Sequence, residues 1–399
     1  MHSSLPSEQR WVPVISSTGL PLMPCRPVRA RKLVQRGRAI KRWKNRLFYI
    51  QMLDLTEERT QPTAIGIDPG SKMEGYTVKA AHRTFLNIQS HARDGKAIQK
   101  SLEGRANARR ARRNRNTPCR PPRFANRGRK EWIPPSTLAR WQLKLNILKW
   151  LAQLYPITTV IIEDVKATTK EGKKRWNNSF SPVQAGKNWL YSCIESDGFQ
   201  LLKAEGRTTS TLRQQLGLYK TPQKLSTGFS AHCVDSWVLA NSITGNCVVP
   251  DLTEVLILKP LTFTRRQLHR FNPAKGGTRT RYGGTRSLHL KKGTLVQHPK
   301  HGQCLVGGSN GTDRVSLHTT MSYNRIARNA KPEDLTTISY SPWLLTGNTH
   351  ALSVKLERRQ ARRNQASLRS SLQGRNFLPD MNDGEEVPYM NDGSFKRNI

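Results

Sequence analysis

Two short apolar runs of this sequence each end in a carboxylate, and few folds can accommodate such an arrangement. Ala64–Asp68 and Thr158–Glu163 have the length of strands, and neither shows the polar alternation of a half-exposed strand. Strands that are apolar throughout are typical of sheets covered on both faces. Alternating runs at Gly75–Lys79 and Thr84–Gln89 predict two more strands between them. The sequence therefore predicts an α/β fold with acidic side chains at the ends of buried strands.

Between these strands, the segment Gly104–Arg129 is dominated by arginine. Its ten arginines are Arg105, Arg109, Arg110, Arg112, Arg113, Arg115, Arg120, Arg123, Arg127 and Arg129. Ala106, Ala108 and Ala111 favour a helix, and the prolines from Pro118 onward would end it. Because arginines at i, i+3 and i+4 surround the axis, such a helix needs phosphate groups to offset its own repulsion. A disordered basic arm is the alternative interpretation.

The whole chain shares this excess of positive charge. It has 67 Lys and Arg against 27 Asp and Glu, a formal net charge of +40 over 399 residues. Such a charge indicates a polyanionic partner, with nucleic acid the leading candidate, and argues against a protein-only scaffold. No apolar stretch approaches the roughly 18 residues of a membrane span, and no signal peptide is recognisable. The six cysteines form no CxxC pair, so we expect an intracellular protein with no membrane partner.

Four side chains from separate segments have the chemistry of a metal-dependent nuclease. Asp68 and Glu163 end the two buried strands, and His232 and Asp235 are spaced to share one face of a predicted helix. Converging carboxylates are costly unless a cation neutralises them, and oxygen-rich sites prefer Mg²⁺ or Mn²⁺. Two such ions about 3.5–4 Å apart promote phosphodiester cleavage. Taken singly, each residue also has an ordinary interpretation, as a turn or cap acid or as a packed core histidine.

Further along the chain, several local patterns predict structure. Pro134–Thr137 is expected to cap a helix with an apolar stripe, and Ser230 to cap a helix over Ala231–Ile243. Short strands with Gly and Asn turns between residues 294 and 318 predict a small antiparallel barrel. His298 and His301 have the spacing of a metal-binding pair, but a hairpin turn is the favoured interpretation.

Taken in order, the motifs resemble a family of transposon-encoded proteins, the IscB and IsrB proteins. The matching segments are Pro21–Pro24, Gly66–Ser71, Val160–Asp164, His232–Ser236, Arg265–Arg270 and Tyr282–Gly284. The first reads Pro-Leu-Met-Pro, the signature of the family's N-terminal PLMP domain. The next three resemble the three RuvC motifs, and the last two resemble the start of a C-terminal region that contacts a target-adjacent motif. The arginine segment resembles the bridge helix of RNA-guided CRISPR effector nucleases.

The spacing of the motifs favours IsrB over IscB. IscB carries an HNH nuclease domain, which needs a histidine general base, between its second and third RuvC motifs. This sequence has no histidine between His91 and His232, and only about 65 residues separate Val165 from His232. The chain therefore resembles IsrB, which has the RuvC nuclease alone. The third motif departs from the family in having Ser236 where a small alanine is frequent.

The resemblance implies an α/β fold with an RNase H-like (RuvC) core whose motifs are split along the chain. The implied domains are a PLMP domain (1–60), a first RuvC part (61–100), an arginine-rich bridge helix (101–130), further RuvC parts without an HNH insertion (131–263), a β-rich domain that contacts the target-adjacent motif (264–350) and a polar tail expected to be mobile (351–399). The implied location is the prokaryotic cytoplasm, in association with the nucleoid.

The resemblance also implies an RNA-guided DNA nickase. A guide ωRNA pairs with one strand of double-stranded DNA beside the adjacent motif, and the RuvC site cuts the displaced, non-target strand. Asp68, Glu163 and Asp235 hold two Mg²⁺ ions, for which Mn²⁺ can substitute, and His232 acts on the attacking water or as a further ligand. The implied RNA-binding residues are Arg105, Arg109, Arg110, Arg112, Arg113 and Arg115, and the implied DNA-binding residues are Arg265, Arg266, Arg279 and Arg281. The protein is expected to be a monomer within the ribonucleoprotein.

Three other functions remain open on sequence grounds. One is an RNA-independent RuvC-like resolvase or transposase, against which the PLMP signature and the arginine segment argue. Another is a catalytically silent RNA-guided DNA-binding protein, against which the complete set Asp68, Glu163, His232 and Asp235 argues. The last is a basic RNA-associated protein, which leaves those four residues unexplained.

Overall fold

The computed structural model is described for most of the chain between residues 10 and 347. The described residues are 10–56, 59–92, 133–164, 182–223, 225–245, 247–261, 271–272, 277–278, 286–310 and 313–347, with residues 103, 104, 106, 107, 110, 111 and 114 of the arginine segment. The predicted tail 351–399 lies outside them. No helix within the described residues has the length and apolarity to cross a membrane.

The N-terminal residues form a four-stranded sheet with one helix. Its elements are β1 (Val12–Ile15), β2 (Pro21–Cys25), α1 (Pro27–Gln35), β3 (Ala39–Lys44) and β4 (Leu47–Met52). The strand order is β2-β1-β4-β3, with β1 parallel to β4. The Pro-Leu-Met-Pro motif lies in β2 at the edge of the sheet, where a residue without a backbone N–H is tolerated. Leu22 of this motif is buried in a small apolar core with Val12 and Ile50.

A seven-stranded mixed sheet forms the main body, so the α/β prediction is confirmed. Its strands are β5 (Thr63–Asp68), β6 (Met73–Ala80), β7 (Arg83–His91), β8 (Ile157–Glu163), β9 (Gln200–Ala204), β10 (Leu256–Pro260) and β20 (Trp343–Gly347). The order is β20-β10-β7-β6-β5-β8-β9. β5, β8 and β9 are parallel, whereas β6 runs antiparallel to both of its neighbours. As predicted from its unbroken apolar run, β5 is buried along its whole length.

Helices cover both faces of this sheet. They are α2 (Pro135–Ala152), α3 (Pro182–Ser196), α4 (Gly206–Gln215) and α5 (Val234–Thr244). Ile65 and Ile67 of β5 join the core that includes Leu148 of α2. Gly66, between them on the strand, faces Ser236 of α5 instead. The period-two alternation of β5 therefore divides its residues between a helix on each side.

Two predicted helix caps are wrong in detail. α2 begins with proline in its first turn, and no side chain caps it. Proline is frequent at this position because its missing N–H would have no helical partner there in any case. Ser230 does not cap a regular helix either. It lies within a π-helical turn, Phe229–Cys233, that precedes α5. The predicted helix Ala231–Ile243 is thus a wider turn followed by an α-helix, and His232 and Asp235 lie on opposite sides of this transition.

The C-terminal strands form an open sheet rather than the predicted barrel. Its strands are β15 (Thr294–His298), β16 (Gly302–Asn310), β17 (Arg314–His318), β18 (Arg325–Ala330) and β19 (Thr336–Tyr340), with a 3₁₀ turn at Pro332–Asp334. The order is β18-β17-β16-β15-β19, and the two outer strands do not pair with each other among the described residues. Short two-residue ribbons precede it: β11 (Phe271–Asn272), β12 (Gly277–Thr278), β13 (Arg286–Ser287) and β14 (Leu290–Lys291). The chain then returns to the main sheet, where β20 pairs with β10.

Candidate active site

Asp68 and Glu163 are brought side by side by the pairing of β5 and β8. These strands are parallel, with Gly66 opposite Ile161 and Ile67 opposite Ile162, so the next positions are Asp68 and Glu163. Residues two apart on a strand share a face, and Asp68 therefore projects to the same face as Gly66, towards α5. Both acids thus lie at the carboxyl ends of adjacent strands, as the sequence predicted.

The absence of side chains at two strand positions lets α5 approach this edge closely. A Cβ atom on Gly66 would lie 1.9 Å from the carbonyl oxygen of Ser236. Gly75 of the neighbouring strand β6 lies opposite Asp68, and a Cβ on Gly75 would lie 2.3 Å from the carbonyl oxygen of His232. Ser236 itself contacts Thr77, their hydroxyl oxygens 2.8 Å apart. This close packing, which alanine or larger residues would prevent, places the π-helical turn and the start of α5 beside the two acids.

His232 and Asp235 contact different groups within the site. His232 Nδ1 lies 3.3 Å from Oδ2 of Asp68, and because an ionised carboxylate only accepts, Nδ1 is the donor. Asp235 is almost fully buried, and both of its oxygens accept from cations. Arg213 donates to Oδ1 at 2.5 Å, and Lys220 donates to Oδ2. His232 therefore orients towards the strand acids, while Asp235 is neutralised from the α4 side.

The electrostatics of Glu163 show that three carboxylates share one environment. Burial, followed by the negative charge of Asp68, a hydrogen bond with Asp68 and the charge of Asp235, raises the pKa of Glu163 to about 8. Lys220 opposes this shift. Burial alone would lower the pKa of Lys220, but its hydrogen bond to Asp235 and the charges of Asp68 and Asp235 outweigh burial and raise it. Burial and the mutual repulsion of the carboxylates thus both favour the protonated form of Glu163.

An open cavity of about 620 Å³ lies over this cluster. Acidic, imidazole and cationic groups line it together: Asp68, His232, Lys72, Arg213 and Lys220. A carboxylate beside cations in one open pocket suits a phosphodiester, because the cations attract phosphate oxygens and the carboxylate can hold a metal ion.

The donor set fits Mg²⁺ by chemistry but is not arranged around one point. Within the described residues, no three His, Cys, Asp or Glu side chains have the spacing of a metal site. Both oxygens of Asp235 are instead engaged by Arg213 and Lys220. Mg²⁺ prefers carboxylate oxygens, and burial together with the charges of Asp68 and Asp235 raises the pKa of Glu163, so a cation there would relieve the repulsion among these acids. The side chains present therefore suit a divalent cation, provided that Asp235 exchanges a cationic partner.

Sequence reasoning missed Arg213 and Lys220. Arg213 lies in the last turn of α4 and Lys220 in the loop that follows, and nothing in their spacing from Asp235 marks them as partners. Asp164, which belongs to the second motif, does not join the site. Its carboxylate binds Lys187 and the hydroxyl of Tyr191 instead.

The predicted nucleic-acid contacts fall mostly outside the described residues. This applies to Arg105, Arg109, Arg112, Arg113, Arg115, Arg265, Arg266, Arg279 and Arg281. Arg110 is described and lies exposed in a helical stretch, where it donates to the side chain of Asn107 at 3.2 Å. All but one of the described positions between 103 and 114 are exposed.

The paired histidines of the C-terminal sheet form a turn, as the favoured interpretation predicted. His298 ends β15 opposite Gly302 of β16. Its Nδ1 accepts the backbone N–H groups of Lys300 at 3.0 Å and of His301 at 3.3 Å. One imidazole nitrogen of His298 therefore stabilises the hairpin.

Comparison with known proteins relates the chain to one family. Residues 12–179, less than half of the chain, match the family described as RRXRR protein. Residues 109–113 within this range read Arg-Arg-Ala-Arg-Arg. No curated protein matches the chain. Among solved structures, Thermus thermophilus RuvC in complex with a Holliday junction substrate is 14% identical with a TM-score of 0.22, covering 45% of this chain and 90% of that chain. A second Thermus thermophilus RuvC structure is 13% identical with a TM-score of 0.19 and the same coverage. The chain is thus similar to RRXRR proteins over the N-terminal sheet, the strands that carry Asp68 and Glu163, and the arginine-rich segment between them.

Proposed function

We propose that this protein is an RNA-guided DNA endonuclease of the IsrB type, which nicks the non-target strand of a DNA duplex. The observation that carries the proposal is the proximity of Asp68, Glu163, His232 and Asp235 at one edge of the sheet, beside an open, partly cationic pocket that Asp68 and His232 line. These residues come from segments up to 167 positions apart, and their order along the chain is that of the three RuvC motifs.

The order of the central strands supports an RNase H-like core. Five of them, β7-β6-β5-β8-β9, have the order 3-2-1-4-5 when numbered along the chain, with the second antiparallel to the rest. RNase H-like folds have this arrangement, with acids on the first and fourth strands. The match to the RRXRR family supports the wider assignment, because that family is found in IscB-type proteins.

In the proposed mechanism, Asp68, Glu163 and Asp235 would hold two Mg²⁺ ions. Such ions activate a water and stabilise the leaving oxygen of a phosphodiester when bound. The hydrogen bond from Nδ1 of His232 to Asp68 fixes the ring and leaves Nε2 as the basic nitrogen of the neutral imidazole. His232 would therefore accept the proton of the attacking water. Arg213 and Lys220 line the same pocket and attract the phosphate of the strand to be cut.

Specificity in this proposal comes from base pairing rather than from the protein. The guide ωRNA pairs with the target strand, and the arginine segment holds guide phosphates through Arg110 and its neighbours. The C-terminal β-rich domain, with Arg265 and Arg281 near its start, contacts the duplex beside the target. The net charge of +40 suits a single protein chain that holds both nucleic acids.

Strand-specific cleavage of a plasmid tests the proposal. The protein is co-expressed with its flanking DNA so that the guide copurifies, and a target plasmid is incubated with Mg²⁺. Asp68→Ala should reduce nicking by well over 100-fold, because even partners outside a metal's ligand set change activity by about 10–100-fold. The exposed acid Glu195 provides a matched control, and Glu195→Ala should nick like the unmodified protein.

Guide dependence separates this function from the alternatives. Nicking that persists without RNA and follows branched DNA would identify an RNA-independent resolvase. Guided binding without nicking in the unmodified protein would identify a silent DNA-binding protein. Unchanged nicking by Asp68→Ala would remove the site assignment itself.

A further inference from the structure

The C-terminal sheet carries a second polar cavity, separate from the carboxylate cluster. It has a volume of about 460 Å³ and opens to solvent beside the β15–β16 hairpin and strand β18. Its charged and imidazole lining groups are His298, His301, Arg314, Arg328, Lys331 and Asp334. None of these residues belongs to the motifs that indicate nuclease activity.

The cavity has more positive charge than its own acids balance. Arg314 pairs through Nε with the exposed carboxylate of Asp313 at 3.1 Å. Among the residues that the structure describes, Arg328 and Lys331 have no carboxylate within 4.0 Å. Three cations therefore surround one opening that contains a single acid, Asp334. Like charges around one opening repel one another, and an anion between them relieves the repulsion.

The hairpin holds the two histidines in a fixed arrangement at the rim. Because Nδ1 of His298 accepts two backbone N–H groups, a neutral ring must carry its proton on Nε2. The rings of His298 and His301 lie 4.8 Å apart at 38°, so each restricts the other. An N–H donor ordered before binding loses less freedom when it meets an anion.

We propose that this cavity is a phosphate-binding site for a nucleic-acid backbone, at which Arg314, Arg328 and Lys331 contact consecutive phosphates. Guanidinium groups suit phosphate because their planar N–H donors match two oxygens at once, and lysine adds a point charge. A carboxylate ligand suits the site less well, because several cations around one opening match the closely spaced charges of a phosphodiester chain. The partner follows from the proposed function, whereas the site is additional to the arginines that the sequence indicated.

Binding measured without metal tests the site independently of cleavage. The full chain is compared with the triple variant Arg314→Gln, Arg328→Gln, Lys331→Gln in EDTA over 50–300 mM KCl. The probes are a 30-base-pair DNA duplex and an RNA hairpin of equal length. If each cation contacts one phosphate, the slope of log K against log salt falls by about 2 to 3 for the probe that uses the site. The affinity for that probe should fall at least about tenfold at 0.15 M salt.

A second triple variant with the same change of net charge is the control. Lys291, Lys300 and Arg325 belong to the same region of the chain but do not line the cavity. Replacing all three by Gln should leave the salt slope within about 1 of the unmodified value. Circular dichroism and thermal unfolding check that both triple variants fold.

The outcomes show whether DNA or RNA supplies the phosphates, and they include results that would overturn the proposed site. Weaker DNA binding alone assigns the cavity to the duplex, and weaker RNA binding alone assigns it to the guide; both support the proposal. Equal effects of the two triple variants, or no effect of the cavity variant on either probe, would overturn it. Loss of guided nicking in the plasmid assay bears on the proposed function and leaves this binding comparison unaffected.

Discussion

Replacing Glu163 by glutamine should stabilise the metal-free protein, and the gain should increase with pH. Burial and the charges of Asp68 and Asp235 raise the pKa of Glu163 from 4.5 to about 8. A carboxyl with a higher pKa in the folded chain binds extra protons in that state between pH 4.5 and 8. The free energy of unfolding therefore falls as pH rises through this window and levels off above pH 8. Glutamine mimics the protonated acid and cannot ionise, so the variant lacks this fall.

The expected magnitude follows from the same pKa values. A difference between 4.5 and about 8 corresponds to about 5 kcal/mol when the acid is fully ionised, and to about 3 kcal/mol at pH 7. Glu163 is only partly buried, and solvent screening reduces these values. We expect Glu163→Gln to gain about 2 kcal/mol at pH 7, about 3 kcal/mol above pH 8, and almost nothing at pH 5.

Urea unfolding in EDTA at pH 5–9 measures this difference, with Glu195→Gln as the exposed control that should show no such pH dependence. Addition of Mg²⁺ should reverse the order. An ion that binds only the folded state stabilises it by an amount that grows with the logarithm of its affinity, and the unmodified protein retains one more carboxylate ligand. The reasoning would be refuted if the free energy of unfolding of Glu163→Gln differed from that of the unmodified protein by the same amount at every pH. If Mg²⁺ raised the free energy of unfolding of Glu163→Gln as much as that of the unmodified protein, Glu163 would not be a ligand of the metal.

Three further outcomes follow from packing and burial. Gly66→Ala should lower the free energy of unfolding, measured in urea, by about 3 kcal/mol or more, because its Cβ would collide with the backbone of Ser236. A thermal midpoint equal to that of the unmodified protein would contradict this close approach. Lys144→Met should lower the free energy of unfolding by about 3–5 kcal/mol, since it leaves the buried Glu74 carboxylate without its ion pair. Adding Glu74→Gln should recover part of this loss. A Lys144→Met variant as stable as the unmodified protein would show that the pair is dispensable. Cys233 should not react with iodoacetamide in the native protein, because burial raises the pKa of its thiol and removes it from solvent. If mass spectrometry found Cys233 alkylated before unfolding, its buried position would be contradicted.

Local patterns were sufficient where one strand's own residues decide its burial. The apolar runs of β5 and β8 predicted buried strands, and their terminal acids predicted that Asp68 and Glu163 would end at one edge. Parallel pairing then leaves little choice of position for the two acids, because it fixes which residues stand opposite each other. The hairpin at His298 was equally predictable, since it depends on a few consecutive residues.

Sequence patterns failed where residues far apart on the chain decide the outcome. The start of α5 is a π-helical turn rather than a capped helix, and the close approach of α5 to Gly66 and Gly75 depends on strands more than 150 residues earlier. Among the described residues, the C-terminal strands form an open sheet, and the strand that follows them, β20, pairs with β10 in another sheet. No periodicity reports such long-range pairings.

The sequence by itself determined the buried strands, the acidic ends and the excess of positive charge, because each depends on which residue types follow one another. Only the tertiary structure decided how those acids are balanced. It brings Arg213 and Lys220 to Asp235 and turns His232 towards Asp68, across separations that leave no trace in local spacing. The physical reason is that electrostatic energy depends on distance in space, and the distance between charges on different segments is set by how sheet and helices pack together.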